Sequence, residues 1–174
     1  LDVAALSAAL DALLERHEAL RTAFAAVDGE PRQFVRPPPQ GLLARSDLSA
    51  LPAERREAEL ERLTAAESER PFDLSAGPLL RARLVRLGPR EHVLLTVFHH
   101  IACDGWSIGV FTRELSALYA AFAAGRPSPL PPLPIQYADY AAWQQGRDLQ
   151  DQLAYWSRRL RDLPPLELPA DRPR

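Results

Sequence analysis

At 174 residues the chain can bury a real core, and its 47% apolar and 25% charged residues exclude a disordered segment. The net charge of -2, with acids and bases interspersed, offers no basic stripe for nucleic acid, and no apolar run reaches the ~18 residues of a membrane helix. The single cysteine, Cys103, excludes an internal disulfide and a Cys-rich zinc site, so a cytoplasmic location is the default expectation.

The N-terminal stretch "LDVAALSAALDALLERHEAL" carries acids and is amphipathic, unlike a signal peptide. With no methionine anywhere, the sequence reads as a piece of a longer polypeptide. Within residues 3–20, Val3, Leu6, Leu10, Leu13, Leu14 and Leu20 form the stripe of a helix. In "RTAFAAVDGEPRQFV", Asp28-Gly29 separates two short strand-like runs and predicts a hairpin. "PPPQG" is a loop, because proline removes donors and fixes φ.

A second, highly charged helix is expected in "LPAERREAELERLTAAESERPF", closed by Pro71. Residues 79–87 and 92–100, separated by "GPRE", read as antiparallel strands. Trp106, Ile108, Phe111, Leu115, Leu118, Tyr119 and Phe122 then keep helical spacing up to Gly125, a C-terminal stop. "RPSPLPPLPIQ" is an extended proline-rich connection. One or two helices follow in "YADYAAWQQ" and "LQDQLAYWSRRLRDL", with Trp143 and Trp156 expected in a core. The end, "PPLELPADRPR", is loop-like. The sum is an α+β (α/β layered) architecture, with helices packed on a small sheet.

The histidine pair in "FHHIACDGWS" carries the chemical question. On a strand, Val93, Leu95, Val97 and His99 share one face, and Leu94, Thr96, Phe98 and His100 the other. Adjacent strand residues point oppositely, so His99 and His100 do not grip one metal together, and no second ligand pair has zinc spacing. Two readings stay open on this pattern. In one, the histidines are structural and Asp104 is a helix N-cap. In the other, His100, at the end of the strand, is a reachable imidazole able to take a proton from an attacking amine or hydroxyl.

"HHIACDGWS" resembles the HHxxxDG motif of condensation domains of nonribosomal peptide synthetases. "RHEALRTAF" (Arg16 to Phe24) is similar to their RHExLRTxF motif, and "YADYAAW" (Tyr137 to Trp143) to YxDYAxW. "PFDLSAGPLLRARLVRL" resembles the segment that leads into the histidine strand. The resemblance implies a chloramphenicol-acetyltransferase-like lobe with a small mixed sheet, one of two lobes that enclose a tunnel. Residues 1–174 would be the N-terminal lobe, without the first motif and the second lobe.

The resemblance further implies amide formation between thioesters carried on phosphopantetheine, with His100 as catalytic histidine. His99, Asp104, Gly105, Arg16 and Arg21 are implied as structural, Asp104 pairing with Arg16 or Arg21 and Gly105 allowing close backbone approach. Helix-start N–H groups at Gly105 and Trp106 are candidates to steady an oxyanion. No metal or bound cofactor is implied. The expected partners are donor and acceptor peptidyl carrier proteins, an adjacent adenylation domain and the second lobe. Toward that lobe, an apolar patch is expected near His100 and Trp106.

Rival readings are ordered by the same residues. Epimerisation domains carry HHxxxDxxSW, whereas Gly105-Trp106-Ser107 follows the aspartate here. Heterocyclisation domains replace the first histidine by aspartate, against His99. Coenzyme A-dependent acyltransferases share HHxxxDG without "RHEALRTAF" and "YADYAAW" together. A catalytically inactive, partner-recruiting domain is disfavoured by the intact histidines. "PLPPLPIQYADYAAWQ" looks most like domains that join an L-donor to an L-acceptor.

Overall fold

The computed structural model describes residues 1–166, and the chain divides into two units, Leu1–Ala138 and Asp139–Arg174. In the first unit, helix α1 (Val3–Arg16) starts at Asp2, whose carboxylate accepts the Ala5 N–H at 2.9 Å. It ends four residues earlier than its apolar stripe suggests. His17 is extended, and Glu18–Arg21 form a 3₁₀ turn that still buries Leu20. Strands β1 (Thr22–Val27) and β2 (Glu30–Val35) form the expected hairpin. Asp28 (φ 53°) and Gly29 (φ 81°) both adopt the left-handed region that a two-residue hairpin turn of this hand requires.

A second sheet has the order β3-β4-β5, built from β3 (Leu43–Asp47), β4 (Leu80–Arg86) and β5 (His92–Phe98). β3 runs parallel to β4, and β5 antiparallel to it, so the sheet is mixed. Helix α2 (Ala53–Glu69) connects the parallel pair. β3 escapes sequence reading because "LARSD" has neither alternation nor an apolar run; pairing with β4 makes it a strand.

The central strand sorts its side chains by parity. Leu80, Ala82 and Leu84 are buried with Leu6, Leu10 and Leu14 of α1 and with Phe111 of α3 (Gly105–Ala123). Val85 joins Leu60 and Leu63 of α2, with Val93 and Leu95, on the opposite face. The result is three layers, with α1 and α3 on one side of the sheet and α2 on the other. Leu10, Leu13 and Leu14 are fully buried, each contributing about 2 kcal/mol of transfer free energy.

Helix α3 ends as Gly125 suggests. Gly125 (φ 66°) sends its N–H to the Phe122 carbonyl, and Arg126 reaches back to Ala121, which satisfies the last carbonyls of the helix. In the second unit, the remainder of α4 (Tyr137–Gln145) and α5 (Gln150–Arg159) bury no residue. Trp143 and Trp156 are more than half exposed, contrary to the core role expected of them. Two short helices alone provide no layer to cover an indole; Trp143 is instead flanked by the Arg147 guanidinium and Tyr140. The terminal loop expected from "PPLELPADRPR" lies largely outside the described residues.

Candidate active site

β5 stops at Phe98, opposite Leu80, and both histidines lie beyond the ladder. His100 is therefore not the last strand residue, as alternation alone suggested. The chain turns immediately: Ala102 N–H donates to the His99 carbonyl at 3.0 Å, leaving His100 and Ile101 as the central residues of a tight turn. The turn is pinned from behind. His99 N–H donates to the Leu79 carbonyl at 3.0 Å, and Leu79 N–H to the Leu20 carbonyl at 2.7 Å. Thus three sequence segments noted separately, "RHEALRT", "GPLL" and "FHH", meet on one line of backbone hydrogen bonds.

The two histidine rings have different fates. His99 Nδ1 accepts the Ile101 N–H at 3.1 Å, and its ring meets Phe72 edge-on, with centroids 5.7 Å apart. His100 is exposed and makes no side-chain hydrogen bond to another described residue. It lines an open depression with Ala19, Cys103, Asp104, Ser107 and Tyr137. A neighbouring apolar depression is lined by His17, Leu20, Phe98, Trp106, Val110 and Phe111. Burial pushes the Cys103 thiol up, so little thiolate is available for a nucleophilic role.

Asp104 is the N-cap of α3. Its Oδ1 accepts the Ser107 N–H at 2.9 Å and the Ser107 hydroxyl at 2.6 Å, while Ser107 Oγ accepts the Asp104 N–H. The Ser107 hydroxyl, then its N–H, lower the carboxyl below its ordinary range, with further help from the Trp106 N–H. Of the helix-start N–H groups named for an oxyanion, that of Trp106 thus contributes to holding this carboxylate. The expected pairing of Asp104 with Arg16 or Arg21 is absent among the described residues. Arg21 binds the carbonyls of Leu14, Glu15 and Arg36, and Arg16 binds Glu114. Side-chain capping is local and competes well with a distant guanidinium. Gly105 has open space where a Cβ would stand, so no close approach within this chain requires glycine there.

This cap yields a pH-dependent prediction. The folded carboxyl of Asp104 sits below its unfolded value, so its stabilisation is complete above about 3.9, the ordinary aspartate pKa. It is lost as pH falls through the lowered folded value. Asp104→Ala is expected to lower the thermal midpoint near neutral pH, with the difference from wild type shrinking in acid. Parallel melting curves at neutral and acid pH measure this; equal midpoints at pH 7 would remove Asp104 from the stability of α3.

Sequence reading missed the site's main ionic tie. Glu114, buried on α3, accepts from Arg16 Nε at 3.2 Å and lies 2.6 Å from His17 Nε2. Gln136 completes the clamp: its amide donates to the Arg16 carbonyl, and its oxygen accepts the Glu18 N–H. "RHE" thus joins the end of α1 to α3. About a hundred residues separate the partners, so no local spacing announces them. Trp106, placed in the apolar stripe by its spacing, is 84% exposed, and Ile101 and Ile108 beside the turn are also exposed. Among the described residues, no cluster of three or more His, Cys, Asp or Glu could hold a metal ion.

The comparison with protein families matches a model described as "Condensation domain" over residues 1–174. The chain belongs to the condensation-domain family. Chondramide synthase cmdD of Chondromyces crocatus is 48% identical over all of this chain, which covers 5% of that protein. Malpibaldin synthetase of Mortierella alpina is 47% identical, again over all of the chain and 3% of the protein. The crystal structure of the X-domain from teicoplanin biosynthesis superposes with a TM-score of 0.84 at 35% identity, covering all of this chain and 39% of that one. The chain therefore spans a small part of its curated relatives and about two fifths of that solved structure. It shares the chloramphenicol-acetyltransferase-like fold of condensation domains, and the mixed sheet with packed helices agrees with it. No helix of the described residues is long and apolar enough to cross a membrane.

Proposed function

We propose that this chain is the N-terminal lobe of a peptide-bond-forming condensation domain of a nonribosomal peptide synthetase, and that His100 is its catalytic histidine. The observation that carries the reading is His100 itself: an exposed imidazole on a turn pinned by the "RHEALRT" and "GPLL" segments, in a chain matched throughout by the condensation family. The reaction needs little else. The acceptor's amine nitrogen attacks the donor's thioester carbonyl, a C–N bond forms and the C–S bond breaks. The His100 imidazole takes the ammonium proton, and the departing thiolate is protonated in turn. Substrates arrive on the phosphopantetheine arms of donor and acceptor carrier proteins, beside an adenylation domain in the same synthetase. No resident cofactor enters the step.

The exposed Ile101, Trp106 and Ile108 support a second lobe covering this face. Holding two reactants in attack geometry is worth several kcal/mol, and one wall of a tunnel does not hold both. The test is to mix both loaded carriers with either the complete domain or residues 1–174, following transfer by mass spectrometry. The complete domain is expected to form the amide and residues 1–174 alone to form none. A complete domain that binds both carriers but transfers nothing would favour the partner-recruiting alternative. Efficient turnover by residues 1–174 would overturn the lobe assignment.

A further inference from the structure

On the α2 face of the sheet, a line of side-chain contacts runs from the end of α2 to the histidine turn. Arg81 stands on β4 opposite Val97 of β5, and His99 lies two residues beyond Val97, just past the end of the ladder. The Arg81 guanidinium donates to the carbonyls of Glu67 at 2.8 Å and Arg70 at 2.7 Å, capping the last turn of α2. Another nitrogen reaches the Pro71 carbonyl at 3.3 Å. Its carbon centre sits 3.8 Å from the centroid of the Phe72 ring. Phe72 in turn meets the His99 ring at 84°.

His99 ends the line by bonding the residue that follows His100. The Ile101 N–H reaches Nδ1, so that nitrogen offers a lone pair and the ring proton of the neutral imidazole sits on Nε2. A histidine ring has a broad, roughly two-fold torsion about χ2, and nothing in the torsion itself selects this orientation. The Ile101 N–H selects which ring edge faces the turn, and the perpendicular Phe72 ring sets the plane in which that edge lies. We infer that Phe72 is a positioning residue for His100, holding the His99 ring in the orientation that fixes the Ile101 peptide, with Arg81 holding Phe72 in place. Phe72 belongs to none of the buried clusters, and its only described aromatic partner is His99. Its contribution is therefore directional as well as apolar.

This inference rests on the proposed role of His100, and two separate readouts in the complete condensation domain distinguish the two. The first is the rate of amide transfer with loaded carriers. Phe72→Leu is expected to lower kcat about tenfold, since a displacement near 1 Å can cost more than that. KM for the acceptor carrier should stay within about twofold, since no binding group is removed. Phe72→Tyr, which keeps the ring, is expected to retain wild-type kcat. The second readout is imidazole nitrogen NMR with labelled histidine, His99 being assigned through His99→Gln. Wild type is expected to show the Nε2-protonated tautomer at His99, and Phe72→Leu to move it toward a mixture of tautomers. Should Phe72→Leu fail to fold, Phe72→Met carries the same expectations. An unchanged His99 signal in the folded variant, or equal loss of kcat in Phe72→Tyr, would overturn the inference. A wild-type domain that makes no amide would sink the proposed function, while the His99 signal would still decide the role of Phe72.

Discussion

His100→Ala in the complete domain is expected to slow amide formation by about 10²- to 10⁴-fold, the range typical of a lost general acid–base group. The fold should be untouched. His100 is exposed on its turn, and that turn is held by the backbone of His99 and Ala102 and by the His99 ring. The removed imidazole takes no packing or hydrogen-bonded tie with it, so the thermal midpoint should match wild type. Single-turnover transfer between loaded carriers at subsaturating acceptor measures the loss. Wild-type turnover by the variant would remove His100 from the chemistry. A large fall in midpoint would mean instead that the histidine is structural.

Glu114→Ala is expected to produce the largest loss of stability among the polar residues around the site. Its side chain is only 11% exposed, and it faces Arg16 Nε at 3.2 Å and His17 Nε2 at 2.6 Å. Removing one partner of a buried pair leaves the other desolvated and uncompensated, at a cost of about 3 kcal/mol. Glu114→Gln keeps an acceptor oxygen for Arg16 and should lose less than half as much. The exposed pair between Glu59 and Arg62 is a useful contrast, because water already solvates both groups and removing it should leave the midpoint unchanged. Denaturant melts of the variants in the complete domain would rank these effects. A Glu114→Ala midpoint equal to wild type would show that the clamp between α1 and α3 contributes nothing net.

Both effects trace back to the same short segment. "RHEALRT" holds α3 through Arg16 and His17, and supports the histidine turn through the Leu20 carbonyl and Leu79. Arg21 meanwhile satisfies carbonyls at the end of α1 and at Arg36. It is a hub in which three elements meet. Its arginines were expected to serve Asp104, but they serve the carbonyls and carboxylate that the fold leaves without partners.

Much of what depends on neighbours along the chain was legible in the residues alone. The apolar stripe of α1, the Asp28-Gly29 hairpin, the strands flanking "GPRE" and the stop at Gly125 are local devices, set by side-chain period and by residues that tolerate special backbone angles. The Asp104 cap is equally local, reaching three residues on to Ser107, although the resemblance implies an arginine partner instead. Features that depend on distant partners emerged only once the chain was folded. β3 is a strand because β4 lies beside it; Glu114 is a buried carboxylate because Arg16 and His17 reach it across about a hundred residues. Periodicity put Trp106 on an apolar stripe, but the layer needed to cover it is not supplied by this unit, and it stands exposed. Alternation assigned the histidines to opposite faces of a strand, yet the ladder stops at Phe98, where pairing with Leu80 ends. Hydrogen bonds from Leu20 through Leu79 to His99 then set the turn. The physical reason is common to all these cases. Local propensity fixes backbone angles over a few residues, whereas burial, ion pairing and ladder length depend on which segments the folded chain brings side by side.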